Sequence, residues 1–414
     1  MHIYYVDPGL ISHTGHHASC CRAFLAETRR RGVGTTVLAN NAVQSDLRAE
    51  LGALPLFQAS PYYTDAGDPL SGWLQAFLRG AEMTAADFAR VSRYSKDDVF
   101  YVTGCAPAQL MGVVEWLGTF VPGTAPAVVV DLIYQSGMIL TGDGAAKSWD
   151  PADPREDPRA ILYRFIGQHM KNLALPTLRF VTTHPALPQV YSALLFKPVE
   201  FCAALPYALP QQVAQRAGRR PITLGVVGHQ RHDKGYLLMP EVFESLLKAE
   251  DDIRIVAHNS GPAALRIPEP EAALARLAGA DRRLTLDQRP LDAGTYLALL
   301  DSIDLMLCPY DPVVYRTTLS GVTLECVANG IPVVVPGGTV LETYTRTFAE
   351  MGVAFGAFTA PAIVAAVREA LSRFEQLAAG AQTASHIFAQ RYGPDKFVDM
   401  VLRLASQPAS SGTS

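Results

Sequence analysis

The sequence predicts an α/β protein with two doubly wound domains, each a parallel sheet covered by helices on both faces. Short, β-branched apolar runs alternate with longer amphipathic stretches along most of the 414 residues. The runs are continuous rather than alternating, which is typical of parallel strands buried on both faces. The alternation starts again near residue 221 after an interruption rich in proline, so two successive series of strands and helices are expected.

The first series accounts for the N-terminal domain. We expect its strands at the apolar runs 2–6, 35–39, 98–103, 126–133 and 179–183. A helix is expected over 18–31, because its closing arginines complement the helix dipole and Gly32 can adopt the left-handed cap conformation. The proline- and charge-rich stretch 150–159 predicts a surface loop that leads into a helix over 160–173.

The second series accounts for the C-terminal domain. Its strands are expected at 222–227, 253–257, 283–286, 304–308 and 331–335, with helices at 239–248, 295–301 and 322–329. The break within 206–221 gives domains over 1–208 and 209–385. A last helix over 386–404 is expected to pack back on the N-terminal domain, and the tail 405–414 to be disordered.

Composition excludes several classes of protein. Hydrophobic residues make up 49% of the chain, which is too many for a disordered protein. With 35 basic and 39 acidic residues the net charge is −4, so we expect no nucleic-acid partner. No run approaches the roughly 18 apolar residues of a transmembrane segment, and the first ten residues do not resemble a signal peptide. The six cysteines show no CxxC spacing and are expected to be reduced, which agrees with a cytoplasmic location.

The segment 315–336 (YRTTLSGVTLECVANGIPVVVP) is the most informative for function. Ser320 and Gly321 precede a short helix whose first amides favour an anion. Glu325 lies one turn further and can accept hydrogen bonds from vicinal hydroxyls, as in a ribose. The alternative is an ordinary helix whose Glu325 is solvated or paired.

A second segment joins a strand to a helix through a loop bounded by Gly228 and Gly235. Arg231 and Lys234 lie in this loop, and two cations at such a place suit a diphosphate. The alternative is a solvated surface loop.

Together the two segments resemble the C-terminal domain of GT-B glycosyltransferases, in particular the large retaining family 4. The resemblance covers about residues 222–336 and includes DLMLCPY at 304–310. It implies a GT-B fold, in which two Rossmann-like domains face a central cleft. It also implies that Lys234 and Arg231 neutralise the donor pyrophosphate, that Gly228, Ser320 and Gly321 allow close phosphate contact, and that Glu325 binds the ribose.

Two positions depart from the family pattern. Thr317 stands where many members have an acidic residue near the donor sugar, and His229 replaces a usual arginine. Arg316 is a candidate for a further pyrophosphate contact, with a structural ion pair as the alternative.

The loop 7–17 (DPGLISHTGHH) follows the first strand, and in GT-B enzymes the corresponding loop approaches the reacting sugar. Gly15 permits close approach, so His16 and His17 are the better candidates for hydrogen bonding or proton transfer, ahead of His13. Metal binding by the three histidines and a simple capping role are the alternatives, and we expect no metal site.

Two further strand ends are candidates for acceptor contacts. Asp131 ends the run PAVVV, near a position where family members often carry a histidine, and His184 follows FVTT. A carboxylate here can act as a general base in an inverting transfer, and the alternative is a turn or cap residue.

These observations predict a glycosyltransferase that moves a sugar from a nucleotide-diphosphate donor to an acceptor hydroxyl in glycan biosynthesis. The resemblance implies retention of configuration, and no metal or other cofactor is expected, since the chain has no Asp-x-Asp motif. The Walker and GxGxxG motifs are also missing from the sequence. The acceptor, whether saccharide, lipid-linked or protein, is left open. A sugar-nucleotide epimerase and a catalytically silent binding scaffold are the alternatives.

Overall fold

The first strand of the chain, β1 (Ile3–Asp7), lies inside a seven-stranded parallel sheet in the computed structural model. The structure describes residues 1–13, 16–61, 72–141, 148–173, 175–202, 209–210, 212–228, 231–259, 267–289 and 291–407. The chain divides into two units. Unit 1 comprises Met1–Ala208 and Tyr392–Ser414, and unit 2 comprises Leu209–Arg391.

Unit 1 is built on the seven-stranded sheet and a two-stranded hairpin. Its strands are β1 (Ile3–Asp7), β2 (Thr35–Asn40), β3 (Leu54–Phe57), β4 (Val99–Val102), β5 (Ala127–Asp131), β6 (Met138–Thr141), β7 (Ser148–Pro151), β8 (Leu178–Thr182) and β9 (Val199–Phe201). Its helices are α1 (His16–Arg30), α2 (Ser45–Leu51), α3 (Gly72–Ala89), α4 (Pro107–Gly118), α5 (Arg159–Lys171), α6 (Pro188–Leu195) and α14 (Pro394–Ser406).

The strand order in the large sheet of unit 1 is β3-β2-β1-β4-β5-β8-β9. The chain therefore extends the sheet from β1 in one direction and then returns to β4 on the other side. This reversal is the topological switch point at which open α/β sheets bind ligands, outside the carboxyl ends of the strands. In unit 1 the switch point lies between the ends of β1 and β4.

Unit 2 has a six-stranded parallel sheet of order β12-β11-β10-β13-β14-β15. Its strands are β10 (Ile222–Val227), β11 (Ile253–His258), β12 (Leu284–Asp287), β13 (Leu305–Leu307), β14 (Val333–Pro336) and β15 (Gly352–Phe355). Its helices are α7 (Met239–Ala249), α8 (Pro268–Ala280), α9 (Ala293–Ser302), α10 (Gly321–Ala328), α11 (Val340–Thr347), α12 (Ala360–Ser372) and α13 (Phe374–Tyr392). The order reverses between β10 and β13, which places the switch point of this sheet at their carboxyl ends.

Both central sheets are buried on their two faces. In unit 1 one face packs against α3, α4, α5 and α6, and the other packs against α1, α2 and α14. The strands of both units are continuous apolar segments such as AVVVD and ITLGVV. This burial confirms the predicted α/β class with two doubly wound parallel sheets.

The predicted single helix over 386–404 is wrong. Helix α13 continues to Tyr392, Gly393 is extended, and Pro394 starts α14. A proline at this place cannot continue a helix because it lacks an N–H and its ring clashes with the preceding turn, whereas the first turn of a new helix accepts it. Helix α14 packs on the sheet of unit 1 through Phe397, Val398, Val401 and Leu404.

Two other predicted boundaries change. The stretch 150–159 is not entirely a loop, because its first two residues belong to β7, which pairs with β6 as an antiparallel hairpin. In the predicted tail, residues 405 and 406 still belong to α14, while 408–414 lie outside the described residues. Within the described ranges, no helix has the length and apolar character needed to cross a membrane.

Candidate functional site

The loop after β10 lies at the switch point of unit 2. Strand β10 ends at Val227, and Gly228 follows with a backbone φ of 134°, in the region that favours glycine. The ammonium of Lys234 occupies the space beside this glycine, since a Cβ there would lie 2.8 Å from Lys234 Nζ. Gly228 therefore gives the lysine room to reach the end of the strand, and His229 of the same loop lies outside the described residues.

Lys234 is partly buried under the ring of Tyr310, whose centroid lies 5.3 Å from Nζ. Burial and the neighbouring charge of Arg231 lower the pKa of Lys234, while Asp233 and Glu325 raise it in part. A cation that has lost hydration, and that forms no ion pair with a carboxylate in the described part of the chain, is suited to bind an anionic ligand.

Arg231 lies in the same loop and is 47% exposed. Its Nε donates to Asp233 Oδ1 at 2.8 Å, and its Nη2 donates to Asp233 Oδ2. This carboxylate occupies the fork of the guanidinium that a phosphate would use. The structure thus brings Arg231 to the predicted loop but pairs it with a residue that the sequence analysis did not consider.

Helix α10 starts at the end of the loop that follows β13. Ser320 is its N-cap residue, and its Oγ accepts from Thr323 N at 3.3 Å. Gly321 is the exposed first residue of the helix. The first turn of a helix has amides without intrahelical acceptors, so this end can bind an anion.

Glu325 lies one turn into α10 and is partly buried. The hydroxyl of Tyr296, on α9, donates to Glu325 Oε2 at 2.6 Å. Burial raises the pKa of Glu325 to about 7, although the Tyr296 hydrogen bond and the charge of Lys234 lower it in part. Glu325 and Lys234 thus lie close enough to influence each other at one sheet edge.

Arg316 and Thr317 precede α10. Arg316 closes a short 3-10 helix (Val314–Arg316), and Thr317 follows it as its C-terminal cap. Tyr315 of this helix is buried, and its ring lies 4.5 Å from that of Tyr310. The aromatic pair holds the short helix beside the loop that contains Lys234.

In unit 1 the switch point is occupied by an aspartate–histidine pair. Asp7 ends β1 and is fully buried, and both of its carboxylate oxygens lie 2.9 Å from His17 Nδ1. Gly9 donates its amide to Asp7 at 2.9 Å, and a Cβ at Gly9 would lie 2.4 Å from His17 Cε1. Only glycine fits against the imidazole here. Burial opposes the charged ring, but the charge and hydrogen bond of Asp7 outweigh it and raise the pKa of His17.

The other two histidines of the loop 7–17, His16 and His13, have different surroundings. The ring of His16 stacks on that of His17 at 4.2 Å, and His16 Nε2 is buried without a hydrogen-bond partner in the described part of the chain. Burial, followed by the charge of His17, lowers the pKa of His16 to about 4. His13 instead binds Asp46 at 3.0 Å, and Gly15 lies outside the described residues.

Asp131 ends β5, two strands from β1. It is fully buried, its Oδ2 accepts from the hydroxyl of Tyr101 at 2.9 Å, and its Oδ1 has no partner within the described ranges. Burial raises the pKa of Asp131 to about 7, against the effect of the Tyr101 hydrogen bond.

His184 follows β8, the neighbour of β5. Its Nδ1 accepts from the amide of Ala186 at 3.0 Å, and its Nε2 is buried with no partner among the residues that the structure describes. Burial lowers the pKa of His184 to about 4. Among the residues described, no three His, Cys, Asp or Glu side chains are grouped so as to hold a metal ion.

Most of the partners that set the chemistry of these residues are not predictable from the sequence. Asp7 belonged to the loop considered, but its pairing with His17 depends on how α1 packs over β1. The partners Tyr101, Tyr296 and Tyr310 are distant in sequence from the residues they contact. Asp7 and Asp233 were recognisable from the sequence, as acidic residues in the same loops as the candidate histidines and Lys234.

No protein-family model and no curated protein matches the sequence. Solved structures do match. HepE from Anabaena, determined in complex with UDP, is 13% identical, with a TM-score of 0.58 over 97% of this chain and 100% of that chain. Sucrose-phosphate synthase from Thermosynechococcus elongatus is 11% identical, with a TM-score of 0.62 over 97% of this chain and 96% of that chain.

The α,α-trehalose 6-phosphate synthase from Burkholderia multivorans is 12% identical, with a TM-score of 0.62 over 98% of both chains. At these identities the likeness concerns the fold. All three neighbours are glycosyltransferases of the GT-B fold. The chain therefore has the GT-B fold, as expected from its sequence.

Proposed function

We propose that this protein is a glycosyltransferase that moves a sugar from a nucleoside-diphosphate donor to an acceptor hydroxyl. The observation that carries the proposal is the arrangement at the switch point of unit 2. There, the partly buried Lys234 lies against Gly228, and Glu325 lies within its electrostatic reach. The Lys234 ammonium suits a diphosphate, and the Glu325 carboxylate suits a ribose. That HepE binds UDP and UDP-glucose supports a uridine nucleotide as donor.

Lys234 would stabilise the leaving group. As the bond between the sugar and the diphosphate breaks, negative charge develops on the distal phosphate. The Lys234 ammonium, which lacks full hydration, neutralises this charge together with Arg231 and the first amides of α10, next to Ser320 and Gly321. Arg231 must exchange the Asp233 carboxylate for phosphate to do so. Arg316 is the candidate for an additional phosphate contact.

Glu325 would bind the nucleotide ribose. A carboxylate accepts hydrogen bonds from two neighbouring hydroxyls, and Tyr296 holds one of its oxygens in place. In the free protein Glu325 is poised between its charged and neutral forms near pH 7.

Unit 1 would supply the contacts to the acceptor. Asp131, His16 and the Asp7–His17 pair lie at the carboxyl edge of its sheet, and one buried atom each of Asp131 and His16 has no partner in the ranges described. We assign to Asp131 the orientation of the acceptor hydroxyl and to the histidines contacts with the reacting sugar.

The transfer would retain the anomeric configuration and would need no metal ion. The support for retention is the resemblance of 222–336 to a retaining family. The support for metal independence is that Lys234 and Arg231 already provide positive charge for the diphosphate. Proton NMR of the product anomer and assays in excess EDTA test the two statements. An inverted product would instead assign Asp131 the role of general base.

A donor panel tests the proposed function. The full chain is incubated with UDP-, GDP- and ADP-sugars, and release of the nucleoside diphosphate is measured with and without an acceptor mixture. We expect release from one donor class to be accelerated by the acceptor. Conversion of the donor sugar without an acceptor would indicate an epimerase, and binding without turnover would indicate a silent scaffold. Neither binding nor turnover of any member would contradict the proposal.

A further inference from the structure

Two buried polar atoms at the carboxyl edge of the sheet of unit 1 have no hydrogen-bond partner among the described residues. Asp131 is 0% exposed and His184 is 4% exposed, yet Asp131 Oδ1 and His184 Nε2 make no hydrogen bond with any residue that the structure describes. Buried polar groups are nearly always hydrogen-bonded, and an unpaired one is costly. Two such atoms on neighbouring strand ends indicate a site whose ligand completes the hydrogen bonding.

The strand register places the two residues at the same edge of the sheet, at the ends of neighbouring strands. Strands β5 and β8 are adjacent and parallel, and Asp131 pairs in register with Val181. His184 follows Val181 by three residues at the same edge. Thr182 ties the two segments further, because its hydroxyl donates to the carbonyl of Leu132 at 3.0 Å.

The two atoms differ in hydrogen-bonding character. Because Ala186 N donates to His184 Nδ1, the proton of the neutral ring is on Nε2, which is therefore a donor. Tyr101 donates to Asp131 Oδ2, which leaves Oδ1 as an acceptor. A donor and an acceptor at one edge of the sheet complement hydroxyl groups, each of which both donates and accepts.

The charged groups at the carboxyl edge of the sheet of unit 1 do not favour binding of an anionic ligand. Asp7 and His17 neutralise each other, and the low pKa of His16 and His184 leaves both rings uncharged at neutral pH. Five loops that follow strands of unit 1 contain no Lys or Arg, namely 8–13, 41–44, 58–61, 103–106 and 183–187.

The segment that follows Asp131 does contain cations. Lys147 lies outside the described residues. The guanidinium of Arg155 is bound by Asp153, and Arg159 donates to Asp157 at 2.7 Å and to Gln135 at 2.7 Å. Phosphate recognition relies on Arg forks or Lys ammonium groups that are available to it, and these two guanidinium groups are already engaged.

We infer that the acceptor is an uncharged polyhydroxyl compound, a sugar or polyol, whose hydroxyl groups bind Asp131 and His184, and that phosphorylated sugars are disfavoured. This inference rests on the proposed function. In the transfer, the acceptor oxygen bonds to the anomeric carbon and the bond from that carbon to the phosphate oxygen breaks. The electron pair leaves with the nucleoside diphosphate, which also takes up the hydroxyl proton.

Matched acceptor pairs test the inference. The full chain is supplied with UDP-glucose, or with whichever donor the panel identifies. The acceptors are glucose against glucose 6-phosphate, and fructose against fructose 6-phosphate. We expect the initial rate of nucleoside diphosphate release to be at least about tenfold higher for the neutral member of a pair. A preference for the phosphorylated members, or donor binding without use of any neutral member, would overturn the inference.

Variants separate acceptor recognition from folding. Asp131→Asn and His184→Ala should each lower kcat/KM for the acceptor at least about tenfold, while the Kd of the donor stays within twofold of wild type. His2→Ala, which removes a histidine hydrogen-bonded to Thr36 at the opposite edge of the same sheet, is the matched control. Unchanged acceptor kinetics in both variants would refute the assignment. Failure of the wild-type protein to bind any donor would instead refute the proposed function.

Discussion

Glu325 is a carboxylic acid whose environment keeps it between two protonation states. Burial raises its pKa to about 7, while the Tyr296 hydroxyl and the Lys234 ammonium favour the charged form. The ionised form accepts hydrogen bonds better than the protonated form. The affinity for a nucleotide that presents ribose hydroxyls should therefore depend on pH in the physiological range.

For Glu325 we expect the association constant of UDP-glucose to rise between pH 6 and pH 8, with a midpoint near 7. The sign follows because a raised acid pKa leaves the carboxyl protonated below the midpoint and ionised above it. UDP-glucose is the suitable ligand because its phosphates do not titrate in this range. Calorimetry on wild type and Glu325→Gln checks the expectation. A rise of equal size in the glutamine variant would show that another group titrates.

Asp233 offers a second test at the residue scale. Its carboxylate holds the guanidinium of Arg231 and adds negative charge next to Lys234. Asp233→Asn should free the guanidinium and tighten UDP binding by about threefold or more, measured as Kd at low salt. Asp153→Asn, which disrupts an equivalent Asp–Arg pair in unit 1, is the control. Weaker binding in Asp233→Asn would show that Asp233 positions Arg231 rather than competing with phosphate.

At the scale of elements, Arg216 connects the two helices that carry the Tyr296–Glu325 pair. It is 2% exposed, and its guanidinium donates only to carbonyls among the contacts described. These include Leu300 and Ile303 at the end of α9, and Asn329 and Gly330 at the end of α10. A cation at two helix C-termini satisfies their orphan carbonyls and complements both dipoles.

Arg216→Met should therefore loosen α9 and α10 together. We expect the ratio of the Kd values for 2′,3′-dideoxy-UDP and UDP to fall at least about threefold, because that ratio reports the ribose contact of Glu325. In Glu325→Ala the ratio should already be near one, and adding Arg216→Met should not change it further. Arg220→Met, which removes an exposed arginine paired with Glu375, is the control. An unchanged ratio in Arg216→Met would contradict this positioning role.

The strands at the centre of each sheet were predictable from the sequence, and the strands at the sheet edges were less so. Strands such as β5 and β10 are continuous apolar runs because both of their faces are buried. The edge strands β3 (LPLF) and β15 (GVAF) lack this signal, because they are short and contain a proline or a glycine. The prediction of one helix over 386–404 was wrong at the α13–α14 junction, although the sequence contains Gly393 and Pro394 there.

In the candidate site, the motif residues were predictable from the sequence and their contacts were not. Lys234, Ser320 and Glu325 were recognisable because they lie in an ordered motif between strands. The contacts that set their chemistry were not, since Tyr296 reaches Glu325 from 29 residues away. A single sequence likewise contains no signal for the Tyr101–Asp131 hydrogen bond, because it depends on the pairing of β4 with β5.

At the scale of the whole molecule, each unit has its own hydrophobic core. The core of unit 1 includes the C-terminal helix, because Phe397 packs edge-on against Tyr101 at 5.4 Å and against Phe24 at 6.2 Å. Unit 2 has a separate core between its sheet and helices such as α7 and α12. A core substitution should therefore destabilise the unit in which it lies.

Phe397→Ala should destabilise unit 1 by about 3–5 kcal/mol, the usual effect of removing a buried phenyl ring. We expect faster hydrogen exchange in peptides from β1, β4 and β5, with the Kd of UDP within twofold of wild type. Phe374→Ala, at a buried position in the core of unit 2, should give the reverse pattern of exchange. Equal acceleration in both units would contradict the independence of the two cores.

The most direct test of nucleotide-sugar binding at the switch point of unit 2 is calorimetric titration with UDP and its sugar conjugates. We expect the wild-type protein to bind. Lys234→Ala and Glu325→Ala should each weaken binding at least about tenfold, or roughly 1.4 kcal/mol. Absence of binding across UDP-, GDP- and ADP-sugars, or unchanged affinity in both variants, would contradict the assignment of the site.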